Sequence, residues 1–288
     1  GFYKGEVELW NGKNTAETPI ADLSTHEKTI PAALDRIKHE IQTEAVLRHP
    51  MIVDSRTLVV LDGMHRVAAL RGLGCRLAPV CLVDYQNPAI ELHAWYRKFI
   101  SGNSLSELIK VIKQKTSYSL SSASLSEVMR LVNTRVAFSA IASKTTCYAI
   151  RSSSSITANS IYNEISLIED LAKEVGFQIN YCTEPDALDS LQNKRDLILI
   201  VPSLTKQEVV NAALRGELFI QKATRHTVPA RPLFVSVPLN WLFESDSREA
   251  NSKMKKLLDG RQIVRLQSGT IIEGRRYEEC AYVFKDIS

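Results

Sequence analysis

The sequence predicts an α/β protein of two domains, residues 1–100 and 101–288, with the second domain packed against the first. The main observation is that apolar, strand-like segments alternate along the chain with segments of helical periodicity. A second observation is a sharp change from strand pattern to helix pattern within residues 59–74. The length of 288 residues is enough for two compact domains, each with its own apolar core.

The composition is that of an ordinary globular protein, with 44% hydrophobic and 24% charged residues. The net charge of +4 suits a phosphate-bearing ligand but is too small to indicate nucleic-acid binding. No apolar run has membrane-spanning length, so no membrane partner is expected. The five cysteines are scattered without a C-x-x-C pair. That pattern argues against a disulfide framework or a zinc site and predicts reduced thiols in the cytoplasm.

Two elements are predicted ahead of the central stretch. Residues 7–10 indicate an edge strand that ends before an Asn11-Gly12 hairpin turn. A helix follows, with Thr29 as its N-cap and Pro31 in its first turn. Its apolar stripe consists of residues spaced three and four apart, namely Ile30, Leu34, Ile37 and Ile41.

Residues 59–74 are the stretch around which the other elements are arranged. Val59-Val60-Leu61 is typical of the end of a buried strand. Asp62-Gly63 interrupts that strand, because glycine adopts backbone angles that a side chain would forbid. The apolar residues that follow share one helical face and end at a glycine stop, namely Val67, Leu70, Leu73 and Gly74.

This pattern gathers Asp62, His65 and Arg66 at the start of a helix. A helix start offers unpaired N–H groups and a positive dipole end, so the turn is predicted to bind an anion such as phosphate. It matches neither the P-loop consensus nor the dinucleotide fingerprint. A surface turn that carries a few polar residues fits the same spacing, and the residues alone leave both interpretations open.

Beyond the turn, a strand is predicted at residues 78–85 and a helix at 91–99, with Trp95 on its apolar side. Helices and strands then alternate through residues 105–214. Further strands are predicted at residues 233–237, 263–266, 270–273 and 281–284.

Thr224, Arg225 and His226 form one polar run ahead of Pro229. Three such groups can reach one ligand, and an arginine matches a carboxylate through two parallel hydrogen bonds. A polar surface loop is the alternative interpretation of the same residues.

Residues 62–70, Asp-Gly-Met-His-Arg-Val-Ala-Ala-Leu, resemble the D-G-x-H-R-x-x-A-L signature of the ParB/sulfiredoxin-like fold. Their setting is similar to that of the free L-serine kinases. His26-Glu27 precedes the first helix, as in those kinases, and residues 222–226 are similar to the family's S-T-R-H element. The resemblance covers roughly residues 18–100 and 200–245. Two positions depart from the family pattern, Met64 and Ala223.

The resemblance implies a ParB/sulfiredoxin-like domain at residues 1–100 and an active site in the cleft between the two domains. It implies a kinase that uses Mg²⁺ and either ATP or ADP to phosphorylate the hydroxyl of free L-serine. The product would be O-phospho-L-serine, a precursor of cysteine and other amino acids. A monomer or homodimer is expected, without a nucleic-acid partner.

The resemblance also implies roles for individual residues. Three would be catalytic: Glu27 as the general base, Asp62 as a second acid that helps to hold Mg²⁺, and His65. Nucleotide phosphates would bind at the helix start, to Gly63, Met64, His65 and Arg66. Serine would bind against Trp95 and to Thr224, Arg225 and His226. Without the resemblance, Glu27 is a solvated acid near a helix N-terminus and Trp95 a core residue.

Three other functions share this fold. A sulfiredoxin is excluded, because Met64 stands where its catalytic cysteine would lie and cannot form the thiol-based intermediate. A ParB-like DNA-binding transcription or partition regulator is the alternative function. His65-Arg66 replaces its paired arginines, and no clear basic recognition helix follows residue 100. The joint presence of Glu27, Asp62 and His65 argues against an inactive scaffold.

Overall fold

The structure, a computed structural model, describes residues 6–10, 19–100, 102–193 and 196–286. Its helices are α1 Pro31–Glu44, α2 Met64–Gly72, α3 Leu105–Lys115, α4 Leu125–Asn133, α5 Ala158–Glu174, α6 Glu184–Ser190, α7 Lys206–Leu214 and α8 Ser247–Asp259, with 3₁₀ turns at Pro19–Asp22 and Leu239–Phe243. None of these helices has the length and apolar character that crossing a membrane requires.

The strands are short, as the following bounds show. They are β1 Glu6–Trp10, β2 Val46–Leu47, β3 Met51–Asp54, β4 Val60–Asp62, β5 Ala78–Val83, β6 Glu91–His93, β7 Tyr96–Ile100, β8 Ser119–Ala123, β9 Ser139–Ala142, β10 Cys147–Arg151, β11 Gln178–Cys182, β12 Leu197–Ile200, β13 Arg225–Thr227, β14 Arg231–Leu233, β15 Val237–Pro238, β16 Arg261–Leu266, β17 Ile271–Ile272, β18 Arg275–Arg276 and β19 Ala281–Asp286.

The chain divides into two compact units. The first unit comprises Gly1–Glu91, Val209–Leu218 and His226–Ser288, and the second comprises Leu92–Glu208 and Phe219–Arg225. This division differs from the expected single boundary at residue 100. The reason is that the C-terminal part of the chain returns to the N-terminal part, where β15 pairs antiparallel with β2.

The first unit is built on a four-stranded sheet of order β1-β5-β3-β4. β3 runs parallel to β5, and the other neighbours are antiparallel. β1 lies at the edge, which confirms the predicted edge strand, while the Asn11-Gly12 turn lies outside the described residues. Apolar side chains of the sheet are fully buried in the core, among them Met51, Val53 and Val60. β4 leads directly through Gly63 into α2, as the sequence predicts.

Helix α1 begins at Pro31, and its N-cap is Ile30, without a side-chain cap. The predicted Thr29 cap is therefore wrong. The Ile30 N–H donates instead to Nε2 of His65, at 2.9 Å. A ring nitrogen from the next helix thus accepts the N-cap N–H, which in a capping box is accepted by the side chain at N3.

A second, C-terminal sheet also belongs to the first unit. It has the order β14-β19-β16, with β14 parallel and β16 antiparallel to β19. The predicted closing strands at residues 263–266 and 281–284 are confirmed, whereas α8 was not anticipated. Leu233 of β14 and Ala281 and Val283 of β19 form a small core with Tyr277. Between β16 and β19, the short strands β17 and β18 form an antiparallel hairpin.

The second unit contains a six-stranded sheet of order β11-β7-β12-β9-β10-β8. Its described neighbours all pair antiparallel. Helices α3 and α4 have Ser104 and Ser124 as their N-caps, and the hydroxyl oxygens of these serines accept the N–H groups of Glu107 and Glu127. The mixed α/β fold class that the sequence predicts is confirmed.

The predicted helix at residues 91–99 is wrong. The structure has β6 and β7 there, and Trp95 lies between them. β7 forms hydrogen-bonded ladders with β11 on one side and β12 on the other. Buried Arg97 interrupts the alternation of apolar and polar residues that marks a strand. Aromatic and β-branched residues suit an interior strand, and the two neighbouring strands decide the outcome.

Arg97 is a buried charge that connects several segments of the second unit through hydrogen bonds. Its Nε donates to Oε1 of Glu169 at 2.5 Å, and both side chains are buried. The Tyr181 hydroxyl also donates to Glu169, at 3.2 Å. Arg97 Nη1 donates to the carbonyls of Trp95, at 2.5 Å, and Lys222, at 3.2 Å. One guanidinium thus fixes Trp95 and the start of the 222–225 segment to the same strand.

We expect Arg97→Met to destabilise the protein by about 3–5 kcal/mol, because it leaves the carboxylate of Glu169 buried without its counter-charge. Adding Glu169→Leu should recover part of that loss. Urea unfolding of the two variants and the wild type measures both effects. An Arg97→Met variant as stable as the wild type would contradict this account of the pair.

Candidate active site

The turn between β4 and α2 is the starting point of the site. Asp62 is the last residue of β4, and Gly63 caps α2 with φ +104°. A Cβ at Gly63 would lie 2.7 Å from Cγ of Met51 and 2.9 Å from Nη2 of Arg66. Only glycine fits both this backbone angle and this space. The first N–H groups of α2, from Met64 to Arg66, lie outside the helix's own ladder and can face an anion.

The carboxylate of Asp62 is surrounded by arginines. Its Oδ2 lies 2.5 Å from Nη1 of Arg231, 3.4 Å from Nη1 of Arg275 and 3.9 Å from Nη2 of Arg66. Burial raises the pKa of Asp62, but Arg275, Arg231 and Arg66 outweigh it and hold that pKa well below its usual range. Asp62 is therefore ionised at neutral pH.

Arg231 is the most deeply buried of the three arginines, with 3% of its side chain exposed. It also binds Oε1 of Glu279 at 2.6 Å and donates to the carbonyl of His226 at 3.2 Å. Sequence reasoning missed Arg231, Arg275 and Glu279. The last two lie beyond residue 245, where the family resemblance ends, and no local motif marks any of them.

Two buried histidines lie near Asp62. The ring of His226 is hydrogen-bonded to the Tyr85 hydroxyl at 2.8 Å, and its centroid is 5.9 Å from that of His26. Burial lowers the pKa of His26 to about 4 and holds the pKa of His226 well below its usual value. Both rings are therefore neutral at pH 7. Sequence reasoning included His226 in the site but missed Tyr85.

Glu27 is half-buried and lies on a segment that runs beside β4. Ser24 pairs in parallel with Val59, through Ser24 N to the Leu58 carbonyl (3.1 Å) and Val60 N to the Ser24 carbonyl (2.8 Å). Glu27 follows Ser24 by three residues, and Asp62 follows Val59 by three. The two segments therefore carry the two acids toward the same end of β4.

His65 and Arg66 hold neighbouring parts of the first unit in place. His65 accepts the Ile30 N–H, three residues after Glu27. Arg66 Nη1 donates to the carbonyls of His49, at 2.8 Å, and Pro50, at 3.0 Å. Both side chains thus tie the start of α2 to the segments that precede α1 and β3.

The other predicted site residues gather in the second unit. Nζ of Lys222 lies 4.9 Å and Cζ of Arg225 5.8 Å from the centre of the Trp95 ring. Thr224 is buried, and the carbonyl of the preceding Ala223 accepts the Tyr162 hydroxyl at 3.0 Å. Arg225 therefore lies close to Trp95, and Thr224 is its buried neighbour in the chain. Sequence reasoning missed Lys222 as a second cation at the Trp95 ring.

The first unit thus presents an ionised acid, several arginines and a helix start at one turn, which defines an α/β protein with a candidate anion site. Within the described ranges, no three His, Cys, Asp or Glu side chains form a ready-made metal cluster. Such a cluster is not needed for Mg²⁺, which commonly binds through one or two carboxylates together with substrate phosphates.

Comparisons with known proteins identify the family. No protein-family model matches the chain. It is 30% identical over 230 residues to the ATP-dependent L-serine kinase of Staphylothermus marinus, covering 77% of this chain and 89% of that protein. It is 23% identical over 226 residues to the ADP-dependent L-serine kinase SerK of Thermococcus kodakarensis, covering 77% and 90%. The chain belongs to the L-serine kinase family, which confirms the resemblance found in its sequence.

The solved structures agree on the fold. A free serine kinase in complex with AMP superposes with a TM-score of 0.63 at 22% identity, covering 78% of this chain and 91% of that one. This likeness supports the fold class that the sequence predicts.

We expect Gly63→Ala to destabilise the protein by about 1–3 kcal/mol, through backbone strain and the clash with Met51 and Arg66. Gly74→Ala is the matched control, because Gly74 also has a positive φ but no atom within 4 Å of an added Cβ. Urea unfolding should show the larger loss for Gly63→Ala. Equal losses would mean that the close contacts at Gly63 carry no cost.

We expect the protein to lose stability as the pH falls from about 6.5 to 4. The folded-state pKa of His26, about 4, lies below its unfolded value of 6.5. The contribution of His26 to the free energy of unfolding is therefore complete above pH 6.5. It is lost on acidification, by up to about 3 kcal/mol. Unfolding free energies of His26→Gln at pH 7 and pH 4 should differ less than those of the wild type. The control is His39→Gln, at an exposed position, which should keep the pH dependence of the wild type. If the unfolding free energy of His26→Gln depends on pH as strongly as that of the wild type, His26 is not the group that titrates.

Proposed function

We propose that this protein transfers a phosphoryl group from a nucleotide, ATP or ADP, to the hydroxyl of free L-serine. The observation that carries the proposal is the ionised Asp62, held by arginines at the start of α2, in a chain of the L-serine kinase family. The relatives described above are named as ATP-dependent in one case and ADP-dependent in the other, so both donors are included.

The nucleotide phosphates bind at the start of α2 in this proposal. The backbone N–H groups of Met64, His65 and Arg66 face the phosphate oxygens in this arrangement. Gly63 supplies the positive φ of the turn that places those groups at the end of β4. The guanidinium of Arg66 is already bound to two carbonyls, so it contributes its positive charge more than new hydrogen bonds. Binding through backbone groups explains why Met64 is tolerated at a position where the family often has another residue.

Glu27 acts as the general base in this reaction. The serine hydroxyl oxygen attacks the terminal phosphorus, and the bond from that phosphorus to the bridging oxygen of the nucleotide breaks. The hydroxyl proton passes to the Glu27 carboxylate, and the shortened nucleotide leaves with the bonding electrons. A primary alcohol is a weak nucleophile at neutral pH, so a half-buried carboxylate within reach lowers the barrier.

Mg²⁺ is proposed to bind to Asp62 together with the nucleotide phosphates. The described hydrogen bonds from Arg231 and Arg275 to Asp62 go to Oδ2, so Oδ1 would be the carboxylate oxygen that binds the cation. One carboxylate plus phosphate oxygens is a usual Mg²⁺ environment in kinases. The ion would neutralise charge on the transferred phosphoryl group.

Serine recognition is proposed for Trp95, Thr224, Arg225 and His226. Arg225 provides a two-pronged partner for the carboxylate, and the Thr224 hydroxyl can both donate and accept. His226 is neutral, because burial lowers its pKa. Its Nε2 is hydrogen-bonded to the Tyr85 hydroxyl, so His226 would contribute to the serine site through Tyr85. The indole of Trp95 supplies an apolar wall.

We expect Glu27→Gln to lower phosphoserine formation at least about 100-fold while nucleotide affinity changes little, because the amide cannot accept the proton. ³¹P NMR of mixtures with L-serine, Mg²⁺ and either ATP or ADP measures the product, and titration calorimetry measures nucleotide binding. Glu40→Gln, which changes an exposed acid on α1, is the matched control. Parallel loss of binding and transfer in Glu27→Gln would show that Glu27 is a structural residue.

A further inference from the structure

The β17–β18 hairpin, residues 271–276, brings a cation to the acid at the end of β4. Arg275 in β18 lies 213 positions from Asp62 along the chain, and its Nη1 is 3.4 Å from Oδ2 of that acid. Arg275 also stacks on Tyr277, with Cζ 4.8 Å from the ring centre. This arginine lies outside the part of the chain that resembles the serine kinases, so the resemblance assigns it no role.

The hairpin is anchored at its turn. Glu273, at the turn, accepts from Nη1 of Arg48 at 2.5 Å and lies 3.2 Å from Nε2 of His49. His49 Nδ1 accepts the Phe234 N–H at 3.1 Å, so the proton of the neutral ring is on Nε2 and points to Glu273. The backbone groups of Tyr277 bind Gly269 and Thr270. The hairpin therefore holds the backbone of Arg275 beside the site.

Arg275 differs from Arg231 in what its guanidinium can still do. Arg231 is almost fully buried between two carboxylates and a carbonyl, so it cannot leave them without exposing buried charges. Arg275 has 43% of its side chain exposed, and its contact with Asp62 is longer. It is therefore the arginine of this cluster that can exchange its carboxylate partner for a ligand oxygen.

We propose that Arg275 binds the non-bridging oxygens of the phosphoryl group during its transfer. This inference rests on the proposed kinase function. In the free protein the guanidinium pairs with Asp62, and it turns to the phosphoryl oxygens when the nucleotide enters. The charge on the non-bridging oxygens changes as the phosphoryl group passes from the nucleotide oxygen to the serine oxygen. A planar guanidinium can donate two hydrogen bonds to these non-bridging oxygens. Arg275 is thus a catalytic residue that the C-terminal hairpin supplies.

The test compares Arg275→Gln with Arg276→Gln in the full-length chain. Arg276 is the next residue of the same hairpin, but its guanidinium faces Glu278, with Nε 3.8 Å from that carboxylate. Phosphoserine formation is followed with L-serine, Mg²⁺ and either ATP or ADP. We expect Arg275→Gln to lower kcat about 100-fold, as for other lost transition-state donors. KM for serine should change less than about tenfold, and Arg276→Gln should behave as the wild type.

Arg275→Lys separates a catalytic from a structural role. Lysine keeps the charge but loses the two-pronged geometry, so an intermediate kcat with an unchanged melting temperature supports the proposal. Wild-type kcat in Arg275→Gln overturns the proposal. It is also overturned if both Arg275 variants have the same lowered kcat and the same lowered melting temperature. A wild-type protein that binds nucleotide but forms no phosphoserine overturns the proposed function itself, and the role of Arg275 with it.

Discussion

The carboxylate of Asp62 and its arginine partners form the interaction on which the rest of the first unit depends. Burial disfavours an ionised acid, and the positive charges of Arg275, Arg231 and Arg66 more than compensate for it. Glu279 shares Arg231, so the three arginines exceed the two acids by one positive charge. A cluster with this balance keeps Asp62 ionised and retains a net positive charge. In the proposed function, that charge would attract the phosphates of the nucleotide.

The same interaction connects distant parts of the chain. Strand β4, helix α2, strand β14 and the β17–β18 hairpin each contribute one charged side chain to it. The second unit contains a similar arrangement, in which the guanidinium of buried Arg97 donates hydrogen bonds to the carboxylate of Glu169 and to two backbone carbonyls. In both units a guanidinium works because it offers several donors in a fixed plane, so that one side chain can satisfy several acceptors.

The sequence was most informative where the structural cause is local. The apolar spacing after Gly63 predicts α2, and the positive φ at Gly63 gives the physical reason for that glycine. The error in the predicted Thr29 cap could not be found from the sequence, because the contact at the helix start is made by His65 of another helix. The helix predicted at residues 91–99 failed for a similar reason, since neighbouring strands and a buried arginine determine the conformation there.

The charged residues around Asp62 were the hardest to predict. Arg231 is 169 residues away in sequence and Arg275 213 residues away, and neither has a pattern in its own segment that points to an anion site. Their role follows from the fold, which sets the distance to the carboxylate. The signature at residues 62–70 therefore predicts the position of the candidate site, while the fold shows which other charges lie beside Asp62.

A crystal structure of the protein with L-serine, Mg²⁺ and a non-hydrolysable ATP analogue tests the central claim most directly. We expect the terminal phosphate within about 3 Å of the first N–H groups of α2, with the serine hydroxyl within hydrogen-bond reach of Glu27. Phosphates bound away from the start of α2, with Asp62 and its arginines unchanged, would contradict the account.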